Sequence, residues 1–176
     1  PFASLFALTD AELATRGARW VTAAADRGFP CRVSLRDARE GEALILLHHT
    51  SHDVATPYRS AYAIYVREGV KPAEYIDAIP PVFEGRPLGM RGFDSEGMLR
   101  DARLAAPGEA EAKILDLFAN PEIAYIHAHN AAHGCFAARV ERHEGAGQGA
   151  PRMTPGPPSS PATGRCPRWS GASGSP

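Results

Sequence analysis

The chain of 176 residues carries 19 Lys and Arg against 20 Asp and Glu, a formal charge of −1, so no global field draws it to nucleic acid or to an anionic membrane. Its apolar fraction of 44% and charged fraction of 22% are those of a globular protein long enough to build a core without disulfides. Apolar runs such as Ala43 to Leu47 are too short to span a bilayer, and Cys31, Cys135 and Cys166 are too few for a disulfide scaffold, which points to a reducing cytoplasm.

The chain opens at Pro1 without an initiator Met, and the expectation is that its natural first residues are missing. No basic segment followed by a long apolar stretch marks a secretory signal. Thr9-Asp10-Ala11-Glu12 matches a capping box, opening a helix that Gly17 closes. Trp20 to Ala24 reads as a strand, and Cys31 to Leu35 alternates and reads as extended. Glu42 to His48 holds a buried strand, and Ala61 to Arg67 a second one rich in aromatic and β-branched residues. Lys71 to Phe83 is interrupted by Pro and has room for a short helix at most.

Leu88 to Phe93 and Met98 to Leu104 flank Asp94-Ser95-Glu96-Gly97, a hairpin loop with Gly where a left-handed residue is needed. Glu109 to Phe118 sets Ala112, Ile114, Leu115, Leu117 and Phe118 on a helical face, and Asn120-Pro121 ends that helix. Ile123 to His129 and Cys135 to Glu141 form a last strand pair. Hairpins outnumber βαβ units, so the expected fold is α+β: one domain over residues 1–142, a mostly antiparallel sheet and two or three helices.

Residues 143–176 read as Gly, Pro, Ser and Ala with scattered Arg, and their large apolar side chains dwindle to Met153 and Trp169. Such a segment buries too little surface to offset the entropy of ordering it, and a disordered tail is expected. A passive extension, a polyproline segment around Pro155, Pro157, Pro158 and Pro161, and translation from a shifted frame remain alternatives.

Three stretches, in order, resemble the bacterial family catalogued as domain of unknown function 1203. They are Pro30-Cys31-Arg32-Val33-Ser34-Leu35, then Thr56-Pro57-Tyr58-Arg59-Ser60 leading into Ile64-Tyr65-Val66-Arg67, and His127-Ala128-His129-Asn130-Ala131 followed by Gly134-Cys135-Phe136. The resemblance runs to Arg142 and implies that the tail is foreign to the family; it implies no activity. Family members often carry Gly-Pro after the Tyr-Arg-Ser stretch, where this chain reads Ala61-Tyr62-Ala63.

Six of the seven histidines fall in two clusters, His48, His49 and His52, then His127, His129 and His133. His127 and His129 share a strand face, and with His52 they are candidate ligands for a divalent metal, Zn or Fe, that polarises a carbonyl or activates water. The alternative is histidines at loop mouths, satisfied by backbone or solvent. Cys31 and Cys135 are candidate nucleophiles, given a neighbouring His or cation to lower the thiol pKa, and buried inert cysteines are the alternative. Tyr58 joins them as a candidate catalytic group. Arg32 and Arg59 are suited to clamping a carboxylate or phosphate, with Asn130 fixing a ligand amide; ion pairs to Asp37 or Asp53 and a turn-holding Asn are the alternatives. These residues leave three readings open: a small enzyme, a non-catalytic anion-binding or regulatory module, and a protein-interaction domain. The expected partner is a small molecule.

Overall fold

The computed structural model describes residues 2–143 and 150–154. Helix α1 (Asp10–Thr15) starts where the capping box places it: the Thr9 hydroxyl accepts from the Glu12 amide at 3.3 Å, and the Glu12 carboxylate accepts from the Thr9 amide at 2.8 Å. Leu13, the buried residue of α1, packs with Ile45, Leu47, Ile64 and Val66. Burying each such side chain stabilises the fold by about 1.5–3 kcal/mol.

Eleven strands lie among the described residues, eight of them overlapping the segments read as strands. The first five are β1 (Arg19–Thr22), β2 (Pro30–Cys31), β3 (Arg36–Asp37), β4 (Ala43–His52) and β5 (Ser60–Arg67). After them come β6 (Tyr75–Ile76), β7 (Leu88–Phe93), β8 (Leu99–Ala105), β9 (Tyr125–Asn130), β10 (Phe136–His143) and β11 (Ala150–Thr154). Helix α2 (Ala110–Phe118) joins β8 to β9, and short 3-10 turns occupy Ala3–Ala7 and Pro81–Phe83. No helix among the described residues is long and apolar enough to cross a membrane.

Among the described residues the fold is α+β with two α-helices, and its strands form two sheets rather than the single one expected. One has the order β1-β4-β5-β2-β3, the other β6-β11-β10-β9-β7-β8. Every pairing is antiparallel except β2 with β5, where Cys31 lies beside Tyr65.

Alternation along β9 separates two faces. Ile126 and Ala128 join Leu88, Met90 and Val140 against Ile114 and Leu117 of α2. Tyr125, His127 and His129 point the other way, with Arg91 and Phe93 beside them on β7 and Arg139 and Phe136 on β10. That face meets the first sheet. Arg86, just before β7, ties the sheets together by an ion pair in which its Nη2 donates to both carboxylate oxygens of Asp37, at 2.7 and 2.8 Å.

Three expectations change. Of the segment Cys31 to Leu35, read as extended, only Cys31 lies in a strand; Arg32 to Leu35 is a turn, with Leu35 at φ 53°. All five residues from Cys31 are buried, so the apolar alternation there reflects cover on both sides rather than a strand. Leu115 of α2 is 53% exposed, because the helix docks through Ala110, Ile114, Leu117 and Phe118 at spacings of three and four. Ala150–Thr154, within the segment expected to be a disordered tail, pairs with β10 from Arg139↔Thr154 to His143↔Ala150, and Met153 enters the core. The rest of that segment lies outside the described residues.

Candidate functional site

Residues singled out in the sequence gather in two places. The first is the layer between the sheets, where the histidine clusters do converge. A bulge near Ser51 ends β4 and delivers His52 to the face of β9, 4.8 Å from His127 between ring centroids. His127 lies 6.3 Å from His129, and Phe93, Phe136 and Tyr62 pack edge-on around the three rings.

Both nitrogens of His52 are engaged. Nδ1 lies 2.9 Å from the Tyr58 carbonyl, which can only accept, so Nδ1 carries the proton. Nε2 then accepts from the Tyr125 hydroxyl at 2.8 Å. His129 donates through Nδ1 to the Gly134 carbonyl at 3.0 Å, and the buried Nε2 of His127 has no hydrogen-bond partner. Burial, with His52 and Arg139 adding like charge, pushes the His127 imidazole down to about 2; burial pushes His129 down to about 4.

His127 and His129 are neutral rings in an aromatic layer. The proposed ligand set of His52, His127 and His129 is brought together, with the Nε2 of His52 taken up by the Tyr125 hydroxyl. Among the described residues, no group of three His, Cys, Asp or Glu side chains is placed to hold a metal ion. His48, by contrast, is exposed on β4 and takes no part.

The second place is a pocket of about 370 Å³ beside the β9–β10 turn. Its polar lining is Arg32, Arg86, Asn130, His133 and Cys135; Leu46, Ala63, Ile64 and Tyr65 supply apolar wall. The turn at Arg32 to Leu35 carries the Arg32 side chain here: its amide donates to the Tyr65 carbonyl at 2.9 Å. Arg32 is 5% exposed, and its Nε has no hydrogen-bond partner. Among the described residues its guanidinium makes no ion pair. Burial holds it down to about 10, opposed by the nearby Cys135 and Asp37 and reinforced by Arg86, so it stays charged near neutrality.

Asn130 and Cys135 frame the pocket from the turn: the Asn130 amide donates to the Cys135 carbonyl at 2.9 Å, and its side-chain oxygen accepts from the Ala132 amide at 3.1 Å. Cys135 is a half-buried free thiol. The remaining candidates stand elsewhere. Cys31 is fully buried in the apolar cluster around α1, which suits an inert cysteine rather than a nucleophile. Arg59 is on the surface, paired with Asp53 at 2.8 Å with its side chain 61% exposed, and so does not share an anion clamp with Arg32. Tyr58 is exposed, edge-on to Phe93, and reaches the histidine layer through its backbone carbonyl.

Arg86 and the apolar wall escaped the sequence reading. Arg86 sits beside Pro87 in an irregular segment with no motif around it, and only the fold sets it against Asp37. The signal for Arg32 was present, as a charged residue within a run of buried neighbours.

Fold and pocket together define a two-sheet α+β protein with a cationic, ligand-sized cavity against its final hairpin. Residues 28–142 match the family described as protein of unknown function (DUF1203), and the chain belongs to that family. The matched span runs from before β2 to the end region of β10 and so includes Arg32, Arg86, Asn130 and Cys135. No curated protein and no solved structure matches the chain.

Proposed function

We propose that the protein binds a small anionic molecule in the pocket framed by Arg32, Asn130 and Cys135, with Arg32 as the anchor. The observation that carries this reading is the Arg32 guanidinium, charged, 5% exposed and unpaired, on the wall of an open cavity. A buried cation without a partner costs several kcal/mol, and a bound carboxylate or phosphate offsets that cost by bidentate hydrogen bonds. Arg86 contributes a second positive charge whose direction Asp37 and the Val82 carbonyl fix. The setting we infer is a bacterial cytoplasm, where Cys135 stays reduced.

The test is thermal unfolding in acetate, phosphate and sulfate at constant ionic strength. An anion present at about a hundred times its Kd stabilises the native protein by about 2.7 kcal/mol. Arg32→Met should raise the Tm of the free protein, because it removes a desolvated charge, and should abolish the response to anions. Wild-type protein whose Tm is indifferent to all three anions would overturn the reading.

A further inference from the structure

The anion pocket also holds a nucleophile. Cys135 is a half-buried free thiol lining it, and the unpaired, buried Arg32 lines the same pocket. His133, exposed and two residues earlier, lines the pocket as well, and its carbonyl lies 3.7 Å from the Cys135 sulfur. We propose that Cys135 attacks small carboxylate electrophiles whose acidic group rests on Arg32, so that the pocket forms covalent adducts as well as binding anions. This rests on the anion-binding reading above.

Two features support it. The Arg32 charge concentrates anionic reactants in the cleft and aligns them, which raises the rate by proximity alone. The second described cysteine, Cys31, is fully buried, which leaves Cys135 as the thiol that a reactant in the pocket meets. In the step itself, the sulfur electron pair forms the S–C bond, the leaving group departs with its bonding pair, and the thiol proton passes to water. No oxidant or reductant enters.

Iodoacetate and iodoacetamide form a matched pair of probes, since both place a CH₂ on sulfur and release iodide, and only the first is an anion. The protein is used with Cys166→Ser, so that Cys31 and Cys135 are its thiols. Alkylation is followed by mass spectrometry and referred to glutathione under the same conditions. The iodoacetate-to-iodoacetamide rate ratio at Cys135 should exceed that of glutathione by about tenfold, the low end of what a charged cleft confers. Arg32→Met should return the ratio to the glutathione value while iodoacetamide still reacts, and Cys31 should remain unlabelled. A glutathione-like ratio in protein whose Tm responds to anions through Arg32 would overturn the nucleophile and leave the anion pocket standing. A raised ratio that survives Arg32→Met would overturn the Arg32-directed mechanism. Absence of any anion response would instead remove the reading on which the proposal rests.

Discussion

His127 and His129 are buried to within a few per cent, and burial holds their imidazoles at about 2 and about 4. Arg91 of the facing β7 and Arg139 of β10 lie across the sheet from His127, and His52 reaches it from β4, so the charges around it oppose protonation. The unfolded chain takes up protons at these two residues near pH 6.5, and the folded chain does so at far lower pH. Protons therefore favour the unfolded state below pH 6.5, and stability rises with pH up to about that value before levelling off. The histidine contribution is present in full above the unfolded pKa and is lost as pH falls. Each group is worth up to about 1.4 kcal/mol per pH unit in that window. Urea titrations at about pH 5 and about pH 7 should show His127→Gln and His129→Gln with a shallower acid decline than wild type. Equal decline in all three proteins would remove these histidines as its cause.

Turns and strands show what spacing conveys and what it leaves out. The β7–β8 loop closes on Gly97 at φ +89°, as the hairpin pattern predicts, and a Cβ there would stand 2.7 Å from Cγ1 of Val54. Gly108, at φ +90°, has nothing within 4 Å of its own notional Cβ. Gly108→Ala therefore costs the left-handed backbone penalty of about 1 kcal/mol. Gly97→Ala adds overpacking and should cost about 2–4 kcal/mol. Equal losses in denaturant titrations of the two variants would show that Val54 yields freely.

The longer strands β1, β4, β5 and β7 to β10, both helices and the shared face of His127 and His129 were legible because period and capping are local properties. The neighbours of that face were not, since His52 meets Tyr125 across 73 residues of chain. No motif announces such a pairing. Arg32 was legible as a charged residue among apolar neighbours, yet the turn that sends it into the pocket hid behind an alternating pattern. Asn130 was legible both as a turn residue and as a pocket residue, and it lines the pocket while holding the turn.

At the scale of the molecule, two sheets with separate apolar clusters are fastened by polar links: Arg86 to Asp37, Arg91 to the Tyr62 hydroxyl at 3.0 Å, and His52 to Tyr125. The pocket draws one wall from the first sheet and the other from the final hairpin, so an occupant bridges both sheets. Strand β11 lies outside the family-matched span, but it covers one side of β10 and carries Met153 into the core. Ending the chain at His143 would strip that cover and leave β10 with a bare row of amides and carbonyls, an invitation to self-assembly. Such a truncated protein should associate in a concentration-dependent way on size-exclusion chromatography and unfold earlier than the full chain. In that sense the last described strand works as a guard against polymerisation, supplied by the chain to its own sheet.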